Sequence, residues 1–404
     1  MQTLQPVLLY GRYEWQRDLQ PVAEFEARLD AVRGVMRTNR WDALVVHGDS
    51  RENAALCHLT NVVPNQRWGL ALIAPDRPPQ ILASVGSRDL PAVQRLTLVD
   101  DVRASGEVRT PLSQWLTAIA EERGAGRALK IGVVDLMRMR ASIGRDVAEV
   151  CGGFGEIVDA TPALAALRQP KSPNELKLLR ACYRILQDAF AEIEKRRHAG
   201  SAMATALIAA ERTARLAGAQ DVRSLCNAGC RGPLHPISRA AQRDLSEPWS
   251  VYLAVRFCGY WTEAFATLAS RPAPAIEAAR AAVDLAAESA RVGASGAHLA
   301  DAMKPQLAGF DLHPMLGAKV ARAHGLSLDA QPWITRDSAE RLSGDGAYLT
   351  VAGAVGGGGR WVLESATIIL DGGHRTILHP CRSDRGAIEA RFGVTRMSNT
   401  GVPR

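Results

Sequence analysis

No apolar run in this sequence approaches the roughly 18–20 residues that a membrane-spanning helix needs, so no membrane partner is expected. The first thirty residues carry Arg12, Glu14, Arg17, Asp18, Glu24 and Glu26, which leaves no place for the apolar core of a secretion signal. A cytoplasmic location is the expectation. Cysteine is sparse: the seven residues (Cys57, Cys151, Cys182, Cys226, Cys230, Cys258 and Cys381) are odd in number and scattered. Cys226 and Cys230 form the only close pair, and no second pair at zinc-finger spacing completes it. Reduced structural thiols are therefore expected, with no disulfide framework. The formal charge is +7, yet lysine and arginine are interspersed with acids and form neither a basic block nor an aromatic-basic stripe. A nucleic-acid partner is not expected.

What is present is the composition of an ordinary globular protein, 47% hydrophobic and 23% charged, with 404 residues to build two cores. Three aromatics (Tyr10, Tyr13 and Trp15) suggest an N-terminal arm packed on another element. Phe25, Leu29, Val32 and Met36 fall on one face of a helix over 25–38. Strands are expected at 43–47, 70–73, 80–83 and 130–135, with a helix at 113–122. This alternation predicts an α/β domain over residues 1–166. Ser172, Pro173 and Glu175 form a capping-box signature that opens a long helix reaching Arg197. A second helix is expected at 202–216. Strand-rich segments follow at 222–237 and 250–269, then helices at 275–291 and 298–307, the latter cut short by Pro305. Two strands joined at Gly356–Gly359 end the second domain (167–381), and 382–404 reads as a tail. The fold class expected is α+β, in two domains.

The second half is organised around Val320–Ile334, which puts His324 and Gly325 between a helix and strands. The boundary helix, the Gly259-Tyr260 pair, the His324-Gly325 segment and the final strand pair occur in this order in one family. The chain resembles the creatinase, aminopeptidase P and methionine aminopeptidase family, over roughly residues 20–380. The resemblance implies a creatinase-like N-terminal α/β domain followed by a pita-bread catalytic domain, and a homodimer. In the family's metallopeptidases two Asp, one His and two Glu hold two dications, which need anionic oxygen to replace lost hydration. By resemblance those positions fall at Tyr252, Glu263, His324, Ala352 and Glu364. Two carboxylates are thus replaced, and Gln331 stands where a second histidine is common. No metal and no other cofactor is expected, although Glu263, His324 and Glu364 are the residues a one-metal site would use.

What remains is similar to creatinase, the metal-free member. His235, in Gly229-Cys-Arg-Gly-Pro-Leu-His-Pro-Ile237, stands where the resemblance implies a proton-shuttling histidine. Glu263 and Glu364 correspond to substrate-binding acids, with Glu263 displaced by two residues along its strand. Arg67 resembles the arginine lent to the partner subunit's site. Without a metal, a base titrating near neutrality must activate water, which suits histidine. Two carboxylates can hold a guanidinium or amidinium by charge-assisted hydrogen bonds. The expected function is therefore metal-independent hydrolysis of a C–N bond in a small zwitterion. His235, Glu263 and Glu364 are the catalytic candidates, and His324, Tyr252, Tyr260 and Arg67 the substrate-binding ones. Two other readings stand beside it, an inactive pita-bread binding protein and a Xaa-Pro aminopeptidase with one metal. The other histidines (His47, His58, His198, His298, His313, His374 and His379) read as structural.

Overall fold

A computed structural model describes residues 15–64, 67–124, 126–238, 245–271, 273–328 and 333–381. The capping segment at Ser172 separates a first sheet unit from two further sheets.

In the first unit, helix α1 (Val22–Asn39) buries Phe25, Leu29, Val32 and Met36, as their spacing predicts. Arg40 ends it in the left-handed region at φ 56°, and the chain turns back into strand β1 (Ala43–Gly48). Helix α2 (Ala54–Thr60), which the sequence reading left unassigned, follows. Strands β2 (Gly69–Ile73), β3 (Gln80–Ala83), β4 (Asp101–Ala104), β5 (Leu129–Val134) and β6 (Gly155–Asp159) complete a mixed sheet in the order β4-β3-β2-β1-β5-β6. Helices α3 (Leu90–Gln94), α4 (Arg109–Arg123), α5 (Ala141–Phe154) and α6 (Thr161–Leu167) surround it. Strand β1 is buried throughout, and apolar but for His47, because both its faces are covered. Leu44 and Val46 pack with Leu29, Met36, Leu56 and Leu59 on one side. Val45 packs with Leu112, Trp115 and Val147 on the other.

The second unit opens with helix α7 (Pro173–His198), whose capping box is formed as expected: Glu175 N–H donates to Ser172 Oγ at 3.1 Å and Ser172 N–H to the Glu175 carboxylate at 3.1 Å. Helix α8 (Met203–Leu216) and the antiparallel strands β7 (Asp221–Ala228), β8 (Trp249–Phe257) and β9 (Tyr260–Leu268) follow. A two-residue turn joins β8 to β9, with Cys258 and Gly259 both at positive φ (49° and 85°), the geometry that matches strand twist. Helices α9 (Pro274–Ser289) and α10 (Gly296–Leu307) cover the last sheet. It contains β10 (Asp311–Leu312), β11 (Lys319–Ala323), β12 (Trp333–Thr335), β13 (Gly346–Gly356), β14 (Arg360–Asp371) and β15 (His374–Leu378). Pro305 does not shorten α10 but lies inside it, in the last turn, where a missing amide donor costs least.

Strand alternation settles which side chains face which layer. On β8 and β9, Val251, Leu253, Val255, Tyr260, Ala264 and Ala266 pack against α7 and α8. On the last sheet, Ala321, Tyr348, Ala352, Ala366 and Ile368 pack against α9 and α10. The opposite faces of both sheets form one concave groove, and hydroxyls knit its floor where β9 meets β14. Thr267 Oγ1 donates to Leu363 O (2.9 Å) and accepts from Leu363 N (2.9 Å). Ser365 Oγ does the same for Phe265 O (2.9 Å) and Phe265 N (2.8 Å). Among the described residues no helix is long and apolar enough to cross a membrane.

Candidate functional site

Glu263 sits on the groove face of β9, with Trp261 and Phe265 as its alternate neighbours. Both its carboxylate oxygens are taken by the guanidinium of Arg322 from β11, through Nε and Nη2. Tyr252, from β8, adds its hydroxyl to Glu263 Oε2 at 2.7 Å. The pair is sealed in: Glu263 is 2% exposed and Arg322 8%. Trp333 lies 4.7 Å from the Arg322 guanidinium, a cation–π contact that shields the charge from the remaining side. Burial, and then the Glu263 carboxylate, push the Tyr252 phenol far above its ordinary range. The phenol is therefore a donor here and not a base. Tyr252 also stacks on Phe265 at 4.8 Å, and together with Leu225, Leu234 and Leu328 they line this part of the groove with apolar surface.

His324 follows Arg322 by two residues and shares its face. Its Nε2 is 2.9 Å from Thr367 Oγ1 and its backbone N–H donates to Ala347 O at 2.8 Å. Burial first, and the nearby Arg322 charge second, lower its pKa to about 3, so the imidazole is neutral at physiological pH.

No protein-family model matches the sequence, and no curated protein matches it. Solved structures do. The prolidase of Pyrococcus horikoshii superposes with a TM-score of 0.72 at 14% identity, over 89% of this chain and 99% of that one. The dipeptidase PepE of Mycobacterium ulcerans gives 0.69 at 18%, over 89% and 96%. A Xaa-Pro dipeptidase from Bacillus anthracis gives 0.69 at 15%, over 87% and 97%. This chain has the two-domain pita-bread fold of those peptidases. At such identities the likeness carries the fold and leaves the chemistry to the groove.

The groove of this pita-bread chain does not assemble the residues that resemblance to the metallopeptidases implies. Glu364 is the main correction. It pairs with Ala352 in the β13–β14 ladder and so lies on the helix-facing side of the sheet, away from Arg322 and His324. There its Oε1 accepts from Arg280 Nε of α9 at 3.1 Å and from Thr267 N–H at 3.3 Å. The groove-facing ladder pair beside it is Val351 and Ser365, neither of them an acid. Tyr260 is the second correction. It points away from the groove, fully buried, donating to Glu175 Oε1 (2.9 Å) and accepting from Arg28 Nη2 (3.1 Å). It ties the two units together and cannot touch a groove ligand.

His235 lies on an exposed turn, bridged to β7 through Cys226 at 2.8 Å and 3.1 Å, with its Nδ1 3.0 Å from Pro236 O. Its neighbour Leu234 packs against the apolar groove lining. Arg67 is exposed ahead of β2. Gln331 lies outside the described residues. The expected pair of free carboxylates flanking a base is thus not formed: one acid faces the other layer, and the other is saturated by an internal arginine. Among the described residues no three His, Cys, Asp or Glu side chains come together to hold an ion. The donor chemistry agrees: Glu263 is bound to a guanidinium, Glu364 is turned away, and His324 is fixed on Thr367.

Arg322 is the site residue that sequence reasoning missed. A signal for it exists, since Val320-Ala-Arg-Ala-His324 reads as a strand, and residues two apart on a strand share a face. An arginine beside a buried histidine needs an acid.

Proposed function

We propose that this chain is not a metallopeptidase, and that its pita-bread groove binds a small, partly apolar molecule without metal. The observation that carries this is the buried Arg322–Glu263–Tyr252 cluster. The resemblance puts two dications where this cluster lies. A guanidinium supplies positive charge at that place with its own counter-ion built in, and Tyr252 and Phe265 offer a flat apolar wall. Glu263 cannot take a substrate cation while Arg322 and Tyr252 hold both of its oxygens. The test is a panel of Xaa-Pro and other dipeptides with the purified chain in added Mn, Co or Zn. No turnover is expected; metal-stimulated cleavage overturns the reading.

One observation favours a second reading, metal-independent hydrolysis of a non-peptide C–N bond. His235 is exposed beside Leu234 of the groove lining, and donation from its Nδ1 to Pro236 O leaves Nε2 as the nitrogen able to act as a base. In that reading the substrate meets His235 over the Tyr252–Phe265 wall, and Glu263 only positions Tyr252. His235→Ala must then abolish turnover of a guanidino, amidine or amide substrate while leaving its binding intact. We propose a homodimer for either reading, with Arg67 reaching the partner's groove.

A further inference from the structure

A cavity of about 250 Å³ lies in the cleft between the two units, lined by His324 and the loop that follows it. Arg138, Arg168 and Lys171 wall it on one side and Gly325, Ser327 and Tyr348 on the other. Its acids are largely committed. Glu52 accepts from Ala54 N–H (2.9 Å) and Ser327 Oγ (3.2 Å), and Glu175 serves the capping box and Tyr260. Lys171 donates to the backbone carbonyls of Arg168 and Gln169. Arg168 differs from all of these: its Nη1 makes no hydrogen bond, and Glu52, Asp135 and Glu175 meet its guanidinium through charge alone. A buried guanidinium donor without an acceptor is costly, and native structures tolerate it mainly where a ligand or ion supplies the acceptor.

We propose that this cleft is a binding site for a small carboxylate, anchored by Arg168. The guanidinium fork matches a carboxylate in two-point geometry. The remaining lining narrows the class further. Bases and acids balance around the cavity, since Asp135 and Glu340 join Glu52 and Glu175 opposite the four cations Arg138, Arg168, Lys171 and Arg341. That disfavours a dianion such as phosphate and suits a zwitterion whose ammonium group meets Asp135, whose one ion-pair contact among the described residues, Arg138, is long at 3.9 Å, with the Arg168 charge acting on it from further off. The volume is below that of most ligand pockets (typically about 300 Å³ and above), which points to a molecule of amino-acid size. Because the walls come from both units, the ligand bridges them.

Calorimetry and thermal-shift assays on the full chain test this with glycine, alanine, leucine, acetate and inorganic phosphate as probes. Saturable binding is expected for the carboxylates, tightest for an amino acid and weakest for phosphate. Arg168→Met is expected to weaken it roughly ten- to hundredfold, the value of a charge-assisted pair, while leaving the melting temperature of the ligand-free protein unchanged. Tyr252→Phe, in the groove, is expected to leave it unaltered. If Arg168→Met does not fold, Arg168→Lys serves, since it keeps the charge but loses the fork and must still weaken carboxylate binding. The proposal is overturned by no binding of any carboxylate probe, by phosphate binding most tightly, or by equal carboxylate affinity in the Arg168 variants.

Discussion

Glu263 is held by three hydrogen bonds at once, two from Arg322 and one from Tyr252, in a setting almost without water. Removing one partner of such a pair leaves the other charge buried and alone, which typically costs about 3–5 kcal/mol. Glu263→Gln is therefore expected to lower unfolding stability by that order in urea titration; a loss under about 1 kcal/mol would show that the pair is exposed in solution. A second expectation concerns pH. Burial holds His324 at a pKa of about 3 and His47 and His313 at about 4, and keeps His58 well below its ordinary 6.5. These histidines are neutral when folded and take up protons when unfolded below pH 6.5, so their contribution is complete above that value. It is lost as the pH falls from 6.5 toward 4 and 3. The urea midpoint should drop between pH 7 and 5, before the carboxylates titrate, and His324→Asn should flatten the slope. A midpoint constant over that range would contradict the burial of these rings.

Among the elements, α10 is seated most tightly at its start. A Cβ on Gly296 would lie 1.9 Å from Thr335 O, backbone that cannot step aside. Gly296→Ala should cost about 1–3 kcal/mol or more, although alanine favours helix, and a neutral result in thermal melts would mean that β12 moves away from the helix. Much at this scale was legible beforehand. The spacing of Phe25, Leu29, Val32 and Met36 and the capping box at Ser172 are local signals, and both elements form where those signals put them. The short helix α2 and the final strand β15 lack such signals and form by packing. The site was less legible, because a strand assignment shifted by one residue turns a side chain to the opposite layer. Glu364 is the example: alignment with the family's acid put it in the groove, whereas the β13–β14 register puts it on Arg280. Tyr260 likewise belongs to the junction between units, because its neighbours Arg28 and Glu175 are distant in sequence and only the fold brings them together.

At the scale of the whole molecule, the fold is shared with prolidases and dipeptidases along nearly their full length, and the groove of this chain holds a buried internal ion pair. If the groove is completed across a dimer, sedimentation at micromolar concentration should give twice the 43.5 kDa chain mass, and a monomer would remove Arg67 from the site. The central claim is that Arg322 stands in place of the dications. Elemental analysis tests it most directly, on protein incubated with Mn, Co and Zn and then desalted without chelator. The account predicts no stoichiometric metal in the wild-type chain; one or two ions per chain, displacing Arg322 from Glu263, would contradict it.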